Sequence, residues 1–287
     1  MNLINNLLSI KLKKRIKLIQ KEIENPIGHQ KKILISHIRY AKDTLFGKQH
    51  HFNRINNYSD FKKSVPIRDY SDFKKYIDLA KKQNKNIIWP GITKWFAKSA
   101  GTSNNKSKFI PITDASLKNC HFKAGKDMLS IYLNQHPKSK ILKGKSLMIG
   151  GSTNINKIDS YFFGDLSGII IQNLPIWVQL KRLPNIKTAL LEDWEKKIEN
   201  IINETIDQNI TSISGVPSWT QIILDKLLEK TGATNLNDIW PNLELYMHGG
   251  IHFENYKKTF DGFFKKTINY LELYNASEGF FGIQNNP

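Results

Sequence analysis

At 287 residues, with 40% apolar and 11% aromatic side chains, the chain can bury a full core as one large domain or two ordinary ones. Its one cysteine, Cys120, excludes an internal disulfide and fits a reducing, cytoplasmic setting, and no apolar run reaches the roughly 18 residues of a membrane span. A net charge of +18 would suit an anionic partner, but the lysines are spread along the whole chain, which argues against nucleic-acid binding and leaves room for a nucleotide-sized anion.

From Met1 to about Lys85 the spacing is helical. Leu3, Ile4, Leu7 and Leu8 are followed by Lys11 and Lys13 to Arg15 without a small-residue cleavage site, so the segment reads as a basic amphipathic helix on the core and not as a secretory signal. Ile16, Ile19 and Ile23 continue the pattern, with breaks at Asn25-Pro26 and Gly47. Tyr58 to Ala80 holds two short helices divided at Val65-Pro66, the second capped by Ser71 or Asp72. His50-His51 reads as a surface pair, and residues 1–85 as a helical N-terminal cover.

After Pro90 strands and helices alternate. Trp95-Phe96-Ala97 and Phe109-Ile110-Pro111 flank a polar loop, and Thr113 or Asp114 caps a helix through Leu117, Cys120, Met128 and Tyr132 that ends before Pro137. Cys120 reads as a buried spacer in it. Leu147 to Ile149 is a strand opening into Gly150-Gly151-Ser152, and Asp193 to Gln208 is a helix. Ile210 to Ser214 is a strand ending at Gly215-Val216-Pro217, after which Ser218 caps a helix that stops at Gly232. Leu243 to Met247 ends at His248-Gly249-Gly250, and Tyr270 to Leu273 ends at Tyr274-Asn275-Ala276-Ser277-Glu278-Gly279. The order predicts an α/β fold: over residues 86–287, a layered, largely parallel sheet flanked by helices. Ligands of such sheets sit beyond the carboxyl ends of the strands, where these glycines and hydroxyls gather.

The loop Ser99-Ala100-Gly101-Thr102-Ser103-Asn104-Asn105-Lys106-Ser107-Lys108 has what a phosphate chain needs. Gly101 allows close backbone approach, Ser99, Thr102 and Ser103 offer hydroxyls, and Lys106 and Lys108 offer charge. It is not a Walker loop, and Gly144-Lys145-Ser146, which precedes its strand, is not one either. Such clusters are plain turns in most proteins. Glu278, after a strand and beside Ser277, is the carboxylate able to hold magnesium against phosphate oxygens. Tyr274 could lie against a purine, and Trp177, Trp219 and Tyr161 could line an acyl pocket. His248 and His252 are spaced four apart, but the intervening glycines argue against a helical zinc pair.

Ser99 to Ser103 with Lys108, followed by Tyr274 to Gly279, resembles the two nucleotide-binding motifs of the auxin-responsive acyl-acid amido synthetases, part of the adenylate-forming superfamily of acyl-CoA synthetases and luciferases. Gly164-Asp165-Leu166-Ser167, Ile213 to Trp219, and Trp240 to Leu245 with His248-Gly249-Gly250 are similar to bacterial members, so the resemblance runs from about Phe61 to the end. It implies ATP-dependent adenylation of a carboxylic acid, then transfer of the acyl group to an amine, typically of an amino acid. It implies that Ser99, Ala100, Gly101, Thr102, Ser103 and Lys108 hold phosphates and that Gly249, Gly250 and Tyr274 flank adenine, with Asn275 among the ATP-binding residues. Ser277 would contact the α-phosphate and Glu278 would bind Mg, the two acting with Lys108 in catalysis. Ala100 and Asn105 replace the usual serine and glycine. Family members continue past this point through a ribose-binding aspartate and a mobile C-terminal domain. The 287 residues are therefore expected to be an N-terminal part, able at best to bind nucleotide weakly. Thioester formation with coenzyme A, or a non-catalytic basic module that binds nucleic acid, are the alternatives. The acid, the amine and the oligomeric state are not written in the sequence.

Overall fold

Asn25 starts the second helix for a local reason: its side chain accepts from Gly28 N at 3.0 Å, with Pro26 in the first helical position, where a missing N–H costs nothing. The same local rules set most element ends in the computed structural model, which describes residues 2–99, 107–150 and 155–285, with side chains from Leu8 onward. In chain order come α1 (Asn2–Glu24), α2 (Pro26–Ala41), α3 (Leu45–Gln49), α4 (Tyr58–Ser64) and α5 (Tyr70–Lys81), then β1 (Trp95–Ser99) and β2 (Lys108–Ile112). The short α6 (Asp114–Ser116) passes through a wide π turn at Leu117–His121 into α7 (Phe122–Gln135). Next are β3 (Lys145–Met148), β4 (Asn156–Ile158), β5 (Tyr161–Gly164), α8 (Leu166–Asn173), α9 (Ile176–Gln179), β6 (Arg182–Leu183) and α10 (Ile186–Ala189). The last are α11 (Trp194–Thr205), β7 (Ile210–Ser214), α12 (Pro217–Thr231), α13 (Leu236–Ile239), β8 (Leu245–His248), α14 (Glu254–Gly262), β9 (Asn269–Ala276) and β10 (Gly279–Ile283). No described helix is long and apolar enough to cross a membrane.

Two capping expectations change. Helix α5 is capped by Asp69, whose carboxylate accepts from Ser71 N (2.8 Å) and Asp72 N (3.3 Å) while Asp72 accepts from Asp69 N, so Asp72 is the third helical residue of a capping box and Ser71 lies inside the helix. Helix α12 begins at Pro217 after Val216, which puts Ser218 inside it. Its end is as expected, at Gly232 in the left-handed conformation (φ 67°).

The chain forms two units. One takes residues 17–116 and 156–163: α2 to α5 around a core of Ile38, Phe46, Tyr76, Ile77 and Phe96, and a four-stranded sheet ordered β2-β1-β5-β4. The change from helices to strands near residue 85 thus falls inside this unit. Strand β1, expected to open toward the main sheet's edge, instead pairs antiparallel with β2, Ser99 opposite Lys108.

The other unit takes residues 1–16, 117–155 and 164–287 and carries a six-stranded sheet ordered β10-β9-β8-β7-β3-β6. Strands β6, β3, β7, β8 and β9 run parallel, and β10 turns back antiparallel to β9. β7 is buried over four of its five residues and β8 over all four, as a sheet covered on both faces requires. One face presents Leu147, Ile213 and Tyr246 to α11, α12 and α14; the other presents Leu245, Met247 and Leu271 to α7 and Leu12.

Trp240 anchors the first face, fully buried, with its indole N–H donating to Thr205 O at 2.9 Å. Trp240→Ala removes that bond and leaves a ring-sized cavity, and should cost about 3–5 kcal/mol, read as a lower urea midpoint with an unchanged slope.

Candidate active site at the carboxyl edge of the parallel sheet

Because β3, β7, β8 and β9 are parallel neighbours, their carboxyl ends lie side by side, and the segments that follow them are bonded in sequence. Ile149 N donates to Ser214 O (2.7 Å), and Gly215 N to Met247 O (3.1 Å). A side chain on Gly215 would press on Ile149 and Thr220, and one on Gly249 would collide with Leu273 O, so the edge requires glycine at both positions. Gly250 has φ 86°, the left-handed region that favours glycine. Gly249 therefore lies flush against β9 at Leu273, while a side chain on Gly250 would meet Val216.

Strand β9 carries the remaining expected groups of this unit. Tyr274 is exposed and lies against Phe281, ring centroids 5.2 Å apart. Asn275 holds His121: Oδ1 and Nδ1 are 3.0 Å apart. With the amide oxygen as acceptor, Nδ1 carries the proton and Nε2 keeps its lone pair. Burial lowers the pKa of His121 and so favours the neutral ring, and the Asn275 bond opposes this by a smaller amount. Ser277 and Glu278 are the two residues of the β9–β10 turn, Glu278 exposed. Cys120, expected to be buried, is half-exposed and accepts from Phe280 N at 3.2 Å, tying the π turn to β10.

Beneath this edge lies a cavity of about 290 Å³, lined by Phe122, Leu129, Met148, Trp177, Val178 and Leu273 among others, with His121 and Asn275 in its wall. Of the three aromatics proposed for an acyl pocket only Trp177 lines it. Trp219 packs on Trp194 at 4.6 Å, and Tyr161 belongs to the core of the other unit. On the sheet's opposite face a cleft of about 710 Å³ is bounded by His248, Lys257, Tyr270 and Glu272.

Ser99 and Lys108, paired across the β1–β2 hairpin, belong to the other unit, where the Lys108 ammonium lies 5.6 Å from the Tyr70 ring centre. Ala100, Gly101, Thr102 and Ser103 lie outside the described residues. His50 is not the surface residue expected: it is buried, with Nδ1 2.8 Å from Ser64 O and Nε2 3.0 Å from Arg68 Nη2. Among the described residues no three His, Cys, Asp or Glu side chains gather as a metal site. Magnesium commonly binds one or two carboxylates and completes its shell with phosphate and water, and a single exposed carboxylate such as Glu278 is compatible with that chemistry.

Sequence reading missed His121, which stood in a helical spacer between Cys120 and Phe122 with nothing to mark it. It also missed the character of His248, buried and stacked on Phe253 at 3.9 Å, with Nδ1 lacking a partner.

Residues 15–268 match the GH3 family N-terminal domain. Among solved structures, a GH3.15 acyl acid amido synthetase matches with a TM-score of 0.75 at 14% identity, over 96% of this chain and 58% of its own. AtGH3.15 acyl acid amido synthetase in complex with 2,4-DB matches with a TM-score of 0.76 at 15% identity, over 95% and 56%. This chain therefore spans less than three fifths of those proteins. No curated protein matches it. At such identities the likeness is one of fold.

Burial pulls the His248 pKa down to about 4 from an ordinary 6.5. Between those values the unfolded chain takes a proton that the folded chain refuses, so stability is present above pH 6.5 and is lost as pH falls toward 4. His248→Phe should flatten that dependence by about 2–3 kcal/mol in urea melts between pH 7.5 and 4.5.

Proposed function

The chain belongs to the GH3 family, and from that premise we propose that it carries the acid- and nucleotide-binding part of an ATP-dependent ligase, which activates a carboxylic acid as its acyl-adenylate and passes the acyl group to an amine, an amino acid in the simplest reading. The observation that carries the reading is the contiguous carboxyl edge of β3, β7, β8 and β9, with Gly249, Asn275, Ser277 and Glu278 on it and an apolar cavity directly beneath.

The cavity takes the apolar body of the acid, and its walls exclude the water that would hydrolyse a mixed anhydride. The carboxylate emerges beside His121 and Asn275. The fixed imidazole orients the Asn275 amide, whose NH₂ group is then free to donate to an oxygen of the acid or of the α-phosphate. Oxygen of the carboxylate attacks the α-phosphorus in line, the bond to the pyrophosphate oxygen breaks, and pyrophosphate leaves with the electron pair. The amine then attacks the acyl carbon, the acyl C–O bond breaks, AMP departs with its electron pair, and the proton lost from nitrogen passes to solvent.

Adenine fits between the flat Gly249-Gly250 segment and the Tyr274 ring, where a side chain at Gly249 would intrude on the backbone of β9. Ser277 and Glu278 follow on the turn, Ser277 to the α-phosphate and Glu278 to Mg²⁺, which supplies charge neutralisation on the phosphate oxygens. Ser99, Lys108 and the Ala100 to Ser103 loop are assigned to the β- and γ-phosphates, on the chemistry of hydroxyls, a glycine and an ammonium. Positioning and charge stabilisation suffice for this reaction, and no covalent enzyme intermediate is required.

Glu278 is exposed on a two-residue turn and supports no packing, so Glu278→Gln should leave the melting temperature unchanged. In an acid-dependent ATP–pyrophosphate exchange assay the same variant should lose at least 10²-fold, on the order of removing one charge-stabilising group. Full exchange by the variant would overturn the assignment.

A further inference from the structure

The cavity beneath the edge is not uniformly apolar. Ser146 on β3 is in register with Arg182 on β6 and with Ser212 on β7, so the three stand in one row across neighbouring parallel strands, and all three line the cavity. Ser212 donates to Ser146 Oγ at 3.0 Å, leaving the Ser146 hydroxyl proton uncommitted.

Arg182 is 3% exposed. Its Nε donates to Gln179 Oε1 (2.8 Å) and its Nη1 to Pro184 O (2.5 Å), but Nη2 is buried without a partner. Glu204 compensates the Arg182 charge only from a distance, because its oxygens accept from Asn185 N (2.6 Å), Asn185 Nδ2 (2.6 Å) and Thr188 Oγ1 (2.5 Å) and not from Arg182. A buried guanidinium with an unused N–H and no carboxylate bonded to it carries a standing cost that an anion in the cavity would reduce.

The rest of the lining agrees. Lys126 and Lys181 join Arg182 in the wall, and no aspartate or glutamate is among the described lining residues. The row also lies far from the reacting end. Ser212, Leu245 and Asn269 are in register, and Asn275 is six residues further along β9, about 20 Å at about 3.3 Å per residue.

We infer that the acid held in this cavity bears a second anionic group at its far end, a carboxylate received by Arg182 and by the Ser146 hydroxyl that Ser212 orients, so that the substrate class is an elongated dicarboxylic acid. This rests on the cavity being the acid site, as proposed above, but not on adenylation.

The test is calorimetric titration of the 287-residue chain, without nucleotide, with α,ω-dicarboxylates from octanedioate to hexadecanedioate and with the monocarboxylates of equal length. At the best-fitting length the dicarboxylate should bind at least about tenfold more tightly, as one charge-assisted hydrogen-bonded pair provides. Arg182→Gln should abolish that advantage and leave monocarboxylate affinity unchanged. Ser146→Ala, which trims one hydroxyl from a strand, should reduce it severalfold and carries the test if Arg182→Gln does not fold. Equal affinity for the two series, or an advantage that survives both substitutions, overturns the inference and leaves the acid site standing. Failure of every acid to bind overturns both. Tight dicarboxylate binding that Arg182→Gln abolishes supports the inference whether or not the 287-residue chain exchanges pyrophosphate.

Discussion

Everything at the candidate site depends on the parallel ladder β6-β3-β7-β8-β9. Parallel pairing aligns the carboxyl ends of all five strands on one edge, and its register decides which side chains face which layer. Ser146, Met148, Ser212, Ser214 and Met247 face one layer with Leu273 and Asn275, while Leu147, Ile213, Tyr246 and His248 face the other. A slip of one residue in any strand would move the serines out of the cavity and push Leu147 or Ile213 into it. The register is held by burial on both faces, from Trp240 and Phe260 on one side to Tyr132 and Met128 on the other.

That arrangement separates two kinds of chemistry. At the edge, Gly215 and Gly249 pack closely on their neighbours beside the pair formed by His121 of the π turn and Asn275 of β9, with the turn carboxylate Glu278 three residues after Asn275. Below it, packing leaves a cavity whose walls are mostly apolar, with Ser146, Arg182 and Ser212 in one row of its lining and His121 and Asn275 also in its wall. An acid seated with its body in the cavity and its carboxylate at the edge is held at the point where the nucleotide would lie, and the binding energy of the buried part serves orientation.

Much of this was legible in the sequence, for reasons that can be named. The main strands are short β-branched or apolar runs closed by Gly, Ser or Pro, and a buried parallel sheet writes that pattern plainly: Ile210 to Ser214 coincides with β7, and Tyr270 to Leu273 lies within β9. The second sheet was not legible, because β4 and β5 are separated by 44 or more residues from the hairpin they join, and pairing of that kind leaves no local trace. The caps of α5 and α12 were misplaced by two or three residues, since Asp69 competes with Ser71 and Asp72 for one role, and Val216, a residue with no capping side chain, stands where Ser218 was expected. His121 and Arg182 were invisible because what marks each of them is burial, which depends on neighbours such as Asn275 and Ser146 that are distant in the chain.

The account stands on the cavity and the carboxyl edge serving one ligand. The direct measurement is a crystal structure of the chain with a non-hydrolysable acyl-adenylate analogue. The acyl chain is predicted to run past Met148 and Trp177, with the adenine against Gly249 and Tyr274. An analogue seated in the His248–Tyr270 cleft instead, with the Trp177 cavity empty, would contradict it.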